Sequence, residues 1–307
     1  RLHYKVGVDG ISMLLVLLTT FLTLLSVLIS WNIQLRPKEY FAWMLLLETG
    51  VLGVFAALDF VLFFLFWEVE LVPMYMLISI WGSGRKEYSA LKFLLYTIAG
   101  SSLMLVGILA LGFSAGTFDI VELGRMGPLT SPVIPATAIF FLLMAAFAVK
   151  LPVVPFHTWL PDAHSDAPTA VSVLLAGVLL KMGGYGIIRM CVSILPDVAR
   201  QYATLLAVLA AVNVIYGAFI TLRQTDLKRL IAYSSVSHMG YVLLGIAALG
   251  QVGLSGATLQ MFTHGTITGM LFVMVGLIYD RTHTREIARM HGLACHWPFI
   301  GVGITVA

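Results

Sequence analysis

Apolar residues come along this chain in long blocks, not in the alternating or one-faced patterns of soluble strands and helices. Blocks of roughly membrane-spanning size fall near 9–30, 41–58, 60–81, 90–113, 134–156, 167–195, 201–222, 230–249 and 253–279, and a tenth begins at Pro298. A helix of about 20 apolar residues crosses the hydrocarbon core, so the pattern predicts an all-α, polytopic membrane helix bundle. The second block is short, and Asp59 alone separates it from the third. The longest polar connection, around 114–133, is too small for a soluble domain, so 1–307 reads as a single transmembrane domain.

Composition agrees with the blocks. Of the 307 residues, 60% are hydrophobic and 11% charged, against about 25% charged in a soluble domain. The mean hydropathy is +0.97. A net charge of +3 is too small to argue for a nucleic-acid partner. Cys191 and Cys295 lie far apart and form no CxxC, which disfavours an iron–sulfur cluster or structural zinc. The sequence holds no Walker A motif, GxGxxG or HExxH, and His157 and His164 are poorly spaced as metal ligands. No cofactor is expected on this chain, and redox chemistry falls to partner chains. No small-residue cleavage site follows the first block, so it does not read as a signal peptide. The chain opens at Arg1 and closes inside an apolar run at Ala307, and it is read as a fragment lacking both ends.

The cations in the connections sort by side. Arg36, Lys38, Arg85, Lys86, Lys92, Arg223, Lys228, Arg229, Arg281, Arg285 and Arg289 fall on one side, here the basic side. Arg1, Lys5, Arg125, Arg189 and Arg200 fall on the other. By the positive-inside rule the basic side is predicted to be cytoplasmic, or its matrix or stromal equivalent.

Two lysines belong to no connection. Lys150 and Lys181 lie inside apolar blocks, as do Glu48, Glu68, Glu70, His238 and His264. A charge at the bilayer centre costs about 2.5–3.5 kcal/mol on insertion scales. Counted from the block ends, these groups share roughly one depth, which suits a relay running parallel to the membrane plane. A single buried Glu or His can also be a structural hydrogen-bonding group. Lys181 is too deep to reach water and needs a partner or an aqueous cavity. Glu68 and Glu70 are two apart, about 200° around a helix, so they cannot both serve one partner. Glu70 reads as a lateral link or as a structural group.

The fifth block reads AAFAVKLPVVPFHTWLPDAH. Pro152 and Pro155 cannot donate to the carbonyls of Ala148 and Leu151, so a helix break is predicted just after Lys150, near 150–156. Broken backbone at membrane depth beside a charge is the pattern of a transporter site; a plain proline kink is the alternative, which the adjacent charge disfavours. Pro73 has a milder effect beside Glu68 and Glu70. Gly183, Gly184 and Gly186 follow Lys181 and let another helix approach closely.

Four stretches carry a resemblance: FFLFWEVELVPMYMLISIWG (63–82), VKLPVVPFHTWLPDAHSDAPTAVSVLLAGVLLKMGGYGIIR (149–189), TDLKRLIAYSSVSHMGYVLLGI (225–246) and LQMFTHGTITGMLFVMVGLIYDRTHTR (259–285). They resemble the antiporter-like subunits of proton-translocating NADH–quinone oxidoreductases, the family of bacterial subunit M, mitochondrial chain 4 and their plastid and cyanobacterial counterparts. The resemblance implies two inverted five-helix repeats, the first over 41–195 and an incomplete second over 201–307. It places Glu68 on the family's key carboxylate, Lys150 on its pairing lysine and Lys181 on the central lysine. His238 and His264 match imidazoles of the central axis, and Trp159 and Pro161 match a functionally sensitive segment. Glu70 departs from the pattern, standing where many members carry an apolar residue.

The function implied is proton translocation coupled to electron transfer elsewhere, starting from a switchable Glu68–Lys150 pair. NADH, FMN, iron–sulfur clusters and quinone are expected on partner subunits, and sister antiporter-like chains alongside. The localisation implied is a bacterial inner membrane, or a thylakoid or mitochondrial inner membrane. Subunits of multi-subunit Na⁺/H⁺ antiporters and of membrane-bound hydrogenases share these motifs and give the alternative reading. A scaffold whose charges only lock helices together is a third.

Overall fold

The computed structural model describes residues 4–127 and 132–307. Arg1, placed above on the less basic side, lies outside them. Among the described residues eight helices are long and apolar enough to cross a membrane. They are α1 (Gly10–Ile29), α2 (Pro37–Ala56), the segment Phe60–Trp81, α5 (Lys86–Ala115), α9 (Thr169–Val192), α11 (Ala203–Leu222), α12 (Leu227–Ala247) and α13 (Gln251–Thr282). The segment Phe60–Trp81 is interrupted at Glu70, which divides it into α3 (Phe60–Val69) and α4 (Leu71–Trp81). Short helices α6 (Ile120–Arg125), α7 (Ala136–Lys150), α8 (Trp159–Asp166) and α10 (Pro196–Gln201) complete the series up to Thr282, and α14 (Pro298–Val306) follows.

Aspartates set several starts. Asp9, Asp59, Asp119 and Asp226 each accept backbone N–H groups from the first turn of α1, α3, α6 and α12, satisfying donors that the helix itself leaves open. Two antiparallel bridges start from these caps. Asp59 pairs with Asp119 at one end of the bundle, and Asp226 with Glu286 at the other. Each pair is separated by 60 positions (119 − 59 and 286 − 226).

The fully enclosed element is α9, in which every residue of the spanning window is buried. It holds two wide π-helical turns, Leu175–Leu179 and Ile187–Val192, on either side of Lys181. By contrast α11 is only 22% buried and shows most of its surface to the outside.

The ends of the bundle carry the polar ties. At the less basic end Lys5 pairs with Asp119 at 2.5 Å and Arg189 with Asp9. Burial alone would raise the Asp119 carboxyl, but the Lys5 hydrogen bond and the N–H groups of Glu122 and Val121 outweigh it and hold it below its ordinary value. At the basic end Asp162 of α8 accepts from Lys92 of α5 at 2.7 Å and from Arg229 of α12 at 3.2 Å. Ser89 donates to Asp166 at 2.5 Å, Arg285 to the Ser165 carbonyl at 2.5 Å and Lys228 to the Ala167 carbonyl at 2.7 Å. Lys228 is therefore a buried tie to the end of α8, not a free cation of the connection.

Candidate functional site

The break in the fifth span shows how the sequence positions the first lysine. Helix α7 ends at Lys150. Pro152 has no N–H for the carbonyl of Ala148, and Val153 N–H takes it instead at 2.8 Å. The Val149 carbonyl is then open, and the Trp159 indole N–H donates to it at 2.9 Å. Asn213 of α11 closes the rest: its Oδ1 accepts from Val154 N–H at 2.7 Å, and its Nδ2 donates to the carbonyls of Pro152 and Val236 at 3.3 and 3.0 Å. Irregular backbone is thus kept at membrane depth by side chains in place of water. Pro161 lies buried in the first turn of α8, where a missing N–H costs nothing. Asn213 is absent from the residues expected to matter, although a lone Asn in the apolar run ATLLAVLAAVNVIYGAFITL was a signal for its role.

Lys150 is 1% exposed and pairs with Glu70, which is fully buried. The expected partner was Glu68, and this is corrected. The inner face of α3 and α4 runs through Phe63, Trp67, Glu70, Met74 and Leu77, at helical three- and four-residue steps. Glu70 falls on that face and Glu68 turns away from it, half-buried. A Cβ built on Gly50 of α2 would come within 3.0 Å of Glu70 N, so the missing side chain lets α2 close over this point. The Lys150 ammonium also lies 5.4 Å from the Trp67 ring centre and 5.3 Å from that of Phe93, within cation–π range.

The second lysine has different company. Lys181 is fully buried. It donates to the Ala176 carbonyl within the wide turn Leu175–Leu179, and its Nζ stands 2.8 Å from His264 Nδ1. The His238 ring lies 5.5 Å from that of His264, and Gln260 Nε2 is 3.3 Å from His238 Nδ1. His264 is buried, while His238 sits at the exposed edge of the described chain. Lys181, His264 and His238, named from the sequence, therefore meet in one cluster. Glu68 makes no hydrogen bond or ion pair with either lysine among the described residues but lies near enough to Glu70 to act on it electrostatically, and Glu48 lies on α2.

The two sites abut. A Cβ on Gly183 would lie 2.7 Å from Leu151 N and 2.8 Å from the Phe147 carbonyl, so α9 touches α7 at the break. Gly186 packs on the Phe147 ring. These glycines serve packing, and that packing holds Lys181 two residues from the contact. His164 is buried and stacked on Phe272 at 4.7 Å; His157 is buried against Tyr216 at 5.0 Å.

The sequence matches the family described as NADH:quinone oxidoreductase/Mrp antiporter, TM, over residues 57–307. The chain belongs to this family. It is 51% identical over 307 residues to NADH-quinone oxidoreductase subunit M of Rhodobacter capsulatus, covering 97% of this chain and 60% of that protein. It is 49% identical to NAD(P)H-quinone oxidoreductase chain 4 1 of Synechococcus sp. (strain JA-3-3Ab), over 96% of this chain and 56% of that one. The chain thus spans about 60% of the length of these relatives. Among solved structures it is similar to a chain of respiratory complex I from Thermus thermophilus with bound NADH, with a TM-score of 0.86 and 32% identity over 97% of this chain and 62% of that one. A chain of the Mrp complex from Dietzia sp. DQ12-45-1b gives the same TM-score at 26% identity, over 97% and 56%. These likenesses agree with the membrane helix bundle of the antiporter-like type.

Proposed function

We propose that this chain is a proton-translocating membrane subunit of an NADH- or related-donor:quinone oxidoreductase. One observation carries the reading: a lysine buried at mid-membrane, Lys181, has an imidazole nitrogen at 2.8 Å as its hydrogen-bond partner, next to a helix break that holds a second buried lysine on a carboxylate. An ammonium facing a neutral imidazole has somewhere to send its proton. An ammonium facing a carboxylate has a counter-charge. A tight Glu70–Lys150 pair keeps the Lys150 charge at home; when the pair opens, the field at Lys181 changes, and the proton moves from Lys181 Nζ to His264 Nδ1 and on toward His238. Glu68, beside Glu70, biases the pair without being its partner. Trp159 and Pro161 hold the break in shape.

The chain works beside sister membrane chains in a bacterial inner membrane or its organellar equivalent, with the basic side cytoplasmic. NADH, FMN, iron–sulfur clusters and quinone belong to partner subunits. The matching 60-residue spacing of the two cap bridges at opposite ends supports inverted repeats, one over 41–195 and a second beginning at 201. Identities near 50% to oxidoreductase subunits, against 26% to the Mrp chain, favour the oxidoreductase over cation antiport.

The test is made on vesicles carrying the assembled complex. Donor oxidation is expected to acidify the lumen of inverted vesicles, with no dependence on Na⁺. Na⁺-driven proton exchange without donor oxidation would contradict the reading.

A further inference from the structure

Helix α1 is the element whose polar residues the relay leaves unused. Thr19, Thr23, Ser26 and Ser30 are all buried, at four-, three- and four-residue steps on one face. Residues so spaced are neighbours along a helix, about 5–6 Å apart. At the basic end this face opens on a cavity of about 350 Å³, lined in part by Ser30, Tyr40, Thr169 and Asp280. Ser30 Oγ and Tyr40 OH are hydrogen-bonded at 3.0 Å at its floor. Ser26 donates to the Ala170 carbonyl at 3.3 Å, which ties the column to α9. Thr23 Oγ1 is buried with no partner of its own in hydrogen-bonding geometry among the described residues, and it faces the Glu48 carboxyl of α2.

The inner end of the column packs on the helices that carry the relay. Leu22 and Leu18 of α1 seat against Gly177 of α9 and Gly265 of α13, four residues before Lys181 and one after His264. Counted at 1.5 Å per residue from the Ser30–Tyr40 hydrogen bond, Thr23 and Glu48 lie about 10 and 12 Å in, side by side, and Thr19 about 6 Å deeper than Thr23. Lys181, about one turn beyond the contact of Gly177 with Leu22, is level with Leu18 and Thr19.

We propose that the cavity and this hydroxyl column, with Glu48, form the route by which protons from the basic side reach Lys181. This rests on the relay reading above. The proton enters from water in the cavity beside Ser30 and Tyr40. Each hydroxyl accepts a proton on its oxygen and releases the one it carried, so the column is unchanged after one passage. The Glu48 carboxylate accepts and releases the same proton. The last transfer converts a neutral Lys181 amine to the ammonium. Gaps of this length between hydroxyls are spanned by a single water.

The experiment measures donor-driven pumping in vesicles carrying the assembled complex, with assembly followed on native gels. Thr23→Val and Glu48→Gln are expected to lower pumping by about a hundredfold, the low side of what one positioned proton-transfer group contributes, with assembly intact. Thr23→Ser restores it. Thr20→Val, on the exposed face of α1, pumps like the parent. Normal pumping in both Thr23→Val and Glu48→Gln overturns the route. If Thr23→Val fails to assemble, Ser26→Ala and Glu48→Gln decide, and normal pumping in both overturns it. Lys181→Ala separates the two ideas. If it abolishes pumping while the column variants pump normally, the relay stands and the route falls. If it pumps normally, the relay itself falls.

Discussion

Two of the buried lysines, Lys150 and Lys181, lie inside the bundle on helices that touch, and they are held in opposite ways. Lys150 ends a broken helix, faces the Glu70 carboxylate and sits between two aromatic rings. Lys181 lies in the middle of the most enclosed helix and meets a backbone carbonyl and an imidazole. On the proposed reading, the counter-charge holds the first ammonium charged and in place, while the imidazole, which shares no ion pair with the second, can take its proton. Burial alone then does not define a relay residue; the partner does.

That contrast can be broken most severely at Glu70. Glu70→Ala strands the Lys150 ammonium, and losing one member of a buried pair costs about 3–5 kcal/mol; Glu68→Ala costs less than about 1 kcal/mol. Thermal dissociation of the detergent-solubilised complex compares them, and a larger loss at Glu68 would reverse the assignment of the pair. The support of the break comes next. Asn213→Leu leaves Val154 N–H and the Pro152 carbonyl without partners, at about 1–3 kcal/mol for each orphaned group. Hydrogen exchange at Val154, read by mass spectrometry, is expected to rise sharply; unchanged exchange would mean that other groups hold the break.

The contact between the two sites is tested by Gly183→Ala. A methyl 2.7 Å from Leu151 N pushes α9 off α7, an overpacking cost of about 1–3 kcal/mol, and pumping falls with it. Gly256→Ala, where a Cβ meets open space, is the neutral reference. Equal thermal stability and pumping in the two variants would uncouple the sites. The smallest effect lies far from both lysines. The lowered Asp119 carboxyl contributes stability that is full above its unfolded value, about 3.9, and is lost as pH falls through the lower folded value. Lys5→Met is expected to lower the melting temperature slightly near neutral pH, an exposed pair being worth under about 1 kcal/mol, and to flatten the acid side of the stability profile. An unchanged acid limb would remove Lys5 from that tie.

The spans were legible because apolar length dictates a crossing helix, and the break at Lys150 because proline removes a donor at a known position. The partner of Lys150 was legible in principle. Phe63, Trp67, Glu70 and Met74 follow one helix face, whereas the resemblance puts the family's key carboxylate at Glu68. Asn213 was visible as a single polar residue in an apolar run; its three bonds depend on where α11 packs against the break, which a one-dimensional pattern does not carry. The wide turns flanking Lys181 have no sequence signature of comparable strength. They form where α9 adjusts its pitch to the helices around it, and one of them supplies the carbonyl that Lys181 meets.

On the proposed reading Lys181, through His264, carries the proton. The direct measurement is donor-driven proton pumping by vesicles in which the complex carries Lys181→Ala, with assembly verified on a native gel. An assembled complex that no longer pumps and reduces quinone slowly is expected. Pumping at the parental rate would contradict the reading.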